Sequence, residues 1–303
     1  MKIMVPKSTI MASLCFMAIF LAIGCAATKG IGNDIRDGDK ALKKKIAFVP
    51  IVNKTGYGDE EFVKSATIQL KTCLKSVYDD LVIIDSQRAR NLLEQIPRLA
   101  SGELNNLALI RVGRALGLNA VVEKTLWEIE HLSDKRGIWG FRKTCKLLKL
   151  NMRVKAHDIE TGAILFDEVI TDEVEVSERD WQNVKDKSGY QNEIGDRLLA
   201  KATDGICGRL CESLSREPWK GYVISVSGNT LSLGAGKDVG LAIGDVLEVF
   251  EKSEPIESQG GQFYLLSGLK IGELRIIRVY RNRAEATAIL GSNLQESSYV
   301  KLK

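Results

Sequence analysis

Histidine is almost missing from this chain: His131 and His157 are the only two in 303 residues. Neither lies in a helical stretch that would align a carboxylate or cysteine with it, and a zinc site needs three or four convergent ligands. No metal site is therefore expected, and both histidines read as ordinary surface side chains. Charge of one sign is scarce too. The 43 basic residues barely exceed the 39 acidic ones, for a formal charge of +4, whereas nucleic-acid binders concentrate basic residues in a stripe. No nucleic-acid partner is expected, and Lys43-Lys44-Lys45 reads as a solvated linker end. Paired carboxylates at a recognisable spacing are also lacking, as is a Ser-His-Asp order that chemistry would favour, so no catalytic residue and no cofactor are assigned. Gly234-Ala235-Gly236-Lys237 does not make a phosphate loop. Leu231 stands where the first glycine belongs, Asp238 follows the lysine, and strands surround it.

What is present is an average globular composition, 45% hydrophobic and 27% charged, on a length that suits about two domains. At the start, Lys2 and Lys7 precede an apolar run from Ile10 to Ile23 that only Ser13 interrupts. That pattern is a secretory signal of residues 1–24. It is shorter than the roughly 17–25 residues that a helix needs to cross a bilayer, and no later run reaches that length. Leu21-Ala22-Ile23-Gly24-Cys25 resembles the lipobox of bacterial lipoproteins, with Ala22 in place of the commoner Leu. The resemblance implies cleavage before Cys25 and acyl chains on its thiol. Two or three chains hold a protein on a membrane effectively permanently, at about 0.8 kcal/mol per buried methylene. Ala26, where an Asp would signal inner-membrane retention, implies the outer membrane with the body in the periplasm. Residues 25–44 then read as a lipidated tether, Gly-, Asp- and Lys-rich, with a typical span of about 25 Å.

Residues 45–215 show α/β alternation. Ile46–Val52 is a short β-branched strand ending at Asn53-Lys54-Thr55-Gly56, and a helix follows with Phe62, Ala66, Leu70, Cys73, Leu74 and Val77 on one stripe. Leu81–Ile84 is a buried strand, Ser86 caps a helix through Gln95, and Ser101 with Glu103 opens another that stops at Gly117. Strands are expected from Asn119 to Leu132, over Leu148–Ala156 with one wet face, and from Ile164 to Val176, with a hairpin turn at Asp158–Gly162. A helix from Tyr190 to Leu214 closes the domain. Ile46–Pro50 with Asn53–Gly56, Gly117–Val122, and Asp158–Leu165 resemble, in order, landmarks of the curli-secretion (CsgG-like) lipoproteins and of the similar TolB N-terminal domain. The resemblance implies the fold rather than an activity.

After Arg216-Glu217-Pro218 the pattern changes to short alternating strands parted by glycines, which predicts a small all-β barrel over 219–303. Gly234–Gly240, Gly244–Val249 and Ile271–Leu274 resemble the C-terminal domain of flagellar assembly protein T, implying a binding module. The expected fold class is thus α+β or α/β: a CsgG-like α/β layer domain plus a small barrel. Cys73, Cys145, Cys207 and Cys211 remain after lipidation. The last two, one helical turn apart, read as buried small hydrophobes, although an oxidising envelope allows Cys73 or Cys145 to pair with one of them. The expected function is that of a non-enzymatic outer-membrane lipoprotein, an assembly or scaffold component joined to the membrane through Cys25 and to a protein partner or to further copies of itself. The alternative is an export pore of the curli-secretion type. Glu128, Glu130, His131, Asp134, Lys135, Arg136, Arg142 and Lys143 count against it in one hairpin, Glu168 and Asp172 in the other, while Trp127, Trp139 and Phe141 suit an interface. A third class, a periplasmic enzyme, has no motif in its favour.

Overall fold

Alternating apolar side chains from Ala120 onward build the longest strands of the protein, and everything else is arranged on their two faces. The computed structural model describes residues 41–303 apart from 59, 139, 186–191, 253 and 292–293. The signal segment, Cys25 and most of the tether lie outside the described residues. The chain runs β1 (Lys44–Phe48), β2 (Val52–Asn53), α1 (Glu60–Val77), β3 (Leu81–Ile83), α2 (Gln87–Glu94), α3 (Asn106–Ala115), β4 (Ala120–Arg136), β5 (Lys143–Asp158), β6 (Ile164–Val176), α4 (Glu178–Lys185) and α5 (Asn192–Arg216). There follow β7 (Gly221–Ser227), β8 (Thr230–Leu233), β9 (Val246–Phe250), β10 (Pro255–Glu257), β11 (Phe263–Leu265), β12 (Lys270–Val279), β13 (Ala284–Leu290) and β14 (Tyr299–Leu302).

The first sheet has the order β3-β1-β4-β5-β6, with β2 added beside β4. β3, β1 and β4 are parallel, and β4, β5 and β6 form an antiparallel meander. One face of it lies under α1 and α5. Leu126, Met152, Val154 and Ala156 meet Phe62, Ala66, Leu70, Leu198, Ala202 and Ile206 there in one core. The base of the other face is covered by α2, α3 and the barrel: Ala47, Val49 and Val121 pack with Leu93, Leu109, Tyr222 and Tyr299. Beyond that base the second face is open. Six strands, β12-β13-β8-β7-β14-β9, close a barrel around Leu231, Leu247, Leu274 and Ala286. The α/β sheet with a small closed barrel is the fold class expected from the sequence, and residues 41–303 make one compact unit.

Sheet and barrel are joined by buried polar groups as well as by apolar packing. Lys220 sits 3.4 Å from Asp158, 2.5 Å from Glu160 and 3.5 Å from Glu217, and its side chain is 6% exposed. Burial works against its charge, but those three carboxylates outweigh burial and raise its pKa. Asn119 accepts from the Lys45 amide and donates to the Lys220 carbonyl, each at 2.8 Å, tying β1 to the entry of the barrel. Gly117, at φ +68°, lies so close to the Gly234 carbonyl that a Cβ would stand 2.2 Å from its oxygen, so this contact admits only glycine.

Several details differ from what the sequence implies. Lys44 and Lys45 are not a solvated linker end, being 7% and 2% exposed inside β1. Lys44 Nζ donates to the Leu214 and Ser215 carbonyls at 2.8 Å, which supplies partners to carbonyls at the end of α5, and Lys45 Nζ pairs with Asp238 at 2.8 Å. Leu42, expected in the tether, is buried in the barrel core. Val77 leaves the α1 stripe and is 54% exposed in the last residue of the helix. The helix expected from Ser101 begins at Asn106 instead, because the Asn105 side chain caps the Ala108 amide while Gly102, at φ +83°, turns the chain. Helix α4 is present where no helix was expected.

Candidate functional site

β4 and β5 each place alternate residues on the open face, and their register brings them level. Glu123 pairs with Lys155, Thr125 with Arg153 and Val121 with His157. One residue interrupts the pattern. The register slips between Leu126 and Glu128, a bulge that leaves Trp127 as the extra residue and re-aims it. The loop after α2 closes the remaining side with Arg98 and Glu103, and Lys54, from the Asn53–Gly56 turn, stands on the rim. Together they line a cleft of about 340 Å³.

The cleft walls are held by ion pairs. Arg98 Nη1 donates to Glu123 Oε1 at 2.7 Å and to the Gly102 carbonyl at 2.8 Å. Lys155 donates to Glu103 Oε2. Arg153 grips Asp167 of β6 with two bonds of 2.6 Å, and its guanidinium lies 5.8 Å from the centre of the Trp127 ring. Such a bidentate pair fixes a guanidinium more firmly than a single contact. Glu123 is 5% exposed and His157 4%. Burial alone would raise the Glu123 pKa, but the His157 and Arg98 side chains outweigh it and hold it below the ordinary carboxylate value. His157 Nε2 stands 3.6 Å from Glu123 Oε2. Glu123 Oε2 and both ring nitrogens of His157 are buried without a hydrogen-bond partner among the described residues.

The residues singled out from the sequence fare unevenly on this map. His157, expected at the surface, is buried behind Glu123, 3.6 Å from its carboxylate. The physical reason is register: it pairs with Val121, on the part of the face where Val121 packs with Leu93, Leu109 and Tyr222. His131 is half-buried and meets the Trp181 ring edge-on, with centroids 5.5 Å apart. Cys73 of α1 and Cys207 of α5 form a disulfide, while Cys145 and Cys211 are free and buried. Gly234–Lys237 is a turn at the barrel mouth, where the Lys237 amide donates to the Tyr280 carbonyl. Cys25, the lipidation residue, lies outside the described residues. Among the described residues no cluster of three or more His, Cys, Asp or Glu side chains is placed to hold a metal. Arg153 and Lys155 fall on the wet face expected of Leu148–Ala156, Glu103 was read with Ser101 as a helix start, and Glu123 carried no motif, so nothing local tied these residues to the loop at Arg98.

No protein-family model matches the chain, and no curated protein matches it. Solved structures similar to it include a hypothetical protein from Chlamydia trachomatis, 13% identical over 58% of this chain and 100% of that one, at a TM-score of 0.39. Lipoprotein GNA1162 from Neisseria meningitidis is 11% identical over 54% of this chain and 97% of its own, at a TM-score of 0.32. A PelC dodecamer from Paraburkholderia phytofirmans is 15% identical over 56% and 90%, at a TM-score of 0.30. Bacterial lipoproteins are thus among the solved structures it resembles, and at overlaps this low the likeness carries no functional inference.

Proposed function

We propose that this chain is an outer-membrane lipoprotein, anchored through Cys25 with its body in the periplasm, that works as a non-enzymatic scaffold for a protein partner or for further copies of itself. The observation that carries the reading is the disulfide between Cys73 and Cys207 in a body that follows a signal-and-lipobox pattern. Disulfides persist in oxidising compartments outside the cytoplasm, and a lipid-modified cysteine arises on the same side of the membrane. The docking surface is the open face of β4–β6. Glu130 with Lys149 at 2.9 Å and Arg153 with Asp167 at 2.6 Å set charges of both signs along it. Such a pattern selects partner and register more than it adds affinity.

An export pore is the second reading, and strand length favours it. β4, β5 and β6 have 17, 16 and 13 residues, more than the roughly 9–11 that a spanning strand needs. Their faces argue against it. One is occupied by the helix-covered core, and the other carries Glu123, Lys155 and Asp167 in one row and Glu130, Lys149 and Glu173 in another. Each basic group at a bilayer midplane costs about 2–4 kcal/mol.

A photo-crosslinker at Val169, 51% exposed on the open face, should give a discrete adduct in intact cells, while one at Ile68, 52% exposed on α1, should not. No adduct at Val169, with a monomer by light scattering, would remove the scaffold reading. Stable channels in planar bilayers would put the pore in its place.

A further inference from the structure

The cleft between β4, β5 and the Arg98–Glu103 loop has features that a docking face does not require. Its lining counts four cations, Lys54, Arg98, Arg153 and Lys155, against two carboxylates, Glu103 and Glu123. With Asp167 paired to Arg153 beside them, one positive charge is left over, which favours one anionic group. Three of the four, Arg98, Lys155 and Arg153, are held in place by Glu123, Glu103 and Asp167, so an incoming anion meets a largely preformed array and little side-chain entropy is lost on binding. Behind the lining, His157 Nε2 faces Glu123 Oε2 at 3.6 Å and helps to fix the carboxylate that holds Arg98. The rim adds Trp127, 38% exposed where a bulge has turned it beside Arg153. An aromatic side chain beside a few fixed polar groups, in about 340 Å³, has the make-up and the size of a small-molecule pocket.

A simple inorganic anion would use the cations but not the indole ring, and a neutral sugar would use the ring but leave the charge unanswered. We propose that this cleft binds an acidic sugar, a pyranose ring bearing a carboxylate. The carboxylate lies against Lys54 and Arg153, the C–H face of the ring lies on Trp127, and the hydroxyls bond to Glu103, which is 35% exposed in its side chain. This assignment does not depend on the lipid anchor or on the docking face.

The test is calorimetric titration of the full-length lipidated protein, in a detergent without sugar headgroups, with glucuronate, glucose, acetate and inorganic phosphate as separate probes. Glucuronate should bind at least about tenfold more tightly than the other three. Trp127→Ala and Lys54→Ala should each weaken it about five- to tenfold with an unchanged melting temperature, both side chains being at the rim. Three results would overturn the assignment: no binding of glucuronate; glucose, acetate or phosphate binding as tightly as glucuronate; or glucuronate affinity unaltered in both variants. Because Cys25→Ser should bind glucuronate as the parent does, failure of the cleft and failure of the anchor are read separately.

Discussion

Lys124 sits on the helix-covered face of β4 between Val122 and Leu126, 1% exposed, and among the described residues its ammonium donates to the Ala66 carbonyl alone, at 3.1 Å. Burial without a carboxylate lowers its pKa from 10.5 to about 7. The sign follows from proton counting. Between pH 7 and 10 the unfolded chain holds a proton that the folded chain has released, so this residue makes stability rise with pH across that window. Below pH 7 both states are protonated, and the full cost of burying the charge is present. Lys124→Met should therefore raise stability at pH 7, on the order of 2–4 kcal/mol, and flatten the rise between pH 7 and 10. Chemical denaturation across that range checks it; a less stable variant with an unchanged pH profile would contradict it. Position 124 lies in the strand expected from Asn119 to Leu132, and nothing local in the sequence says that its lysine faces the helices. The same blindness applies to Lys44, Lys45 and His157, which look like surface residues until the barrel and the end of α5 are set against them.

Secondary elements were more legible than single residues, because period and capping chemistry are local. The Phe62-Ala66-Leu70-Leu74 stripe, the Ser86 cap and the Ile164–Val176 strand all appear as the sequence implied. The start of α3 was the harder case: Ser101 suits a helix start, yet Asn105 caps the helix, past a turn with positive φ at Gly102. β4 and β5 continue to Arg136 and from Lys143 through stretches whose charges hide the strand period. The cleft was least legible, being assembled from a turn, a loop and two strands far apart in sequence. The disulfide also joins distant elements, α1 and α5, across 134 residues. Closing so long a loop stabilises a fold by about 2–5 kcal/mol. Cys73→Ala should lower stability by that amount in denaturant melts without reductant, and little in its presence. A Cys73→Ala protein as stable as the parent under oxidising conditions would show that the bond is not formed. Cys211, whose thiol burial pushes up to about 11, should stay unreactive in the folded state.

At the scale of the whole molecule, the sheet and the barrel share a core through Tyr222 and Tyr299 and an ion network around Lys220. Such buried carboxylates are costly if the lysine is removed. We keep the division into residues 45–215 and 219–303 as a proposal, carried by the change from helix to barrel at Pro218. Leu42 in the barrel core fixes where the tether meets the body. The scaffold role rests on where the molecule is held, and so on Cys25. The most direct measurement is incorporation of labelled palmitate, with membrane fractionation, for the parent and for Cys25→Ser. Label and outer-membrane recovery are expected for the parent and neither for the variant; an unlabelled parent, or a Cys25→Ser protein held as firmly in the membrane, would contradict the lipid anchor and the scaffold role with it.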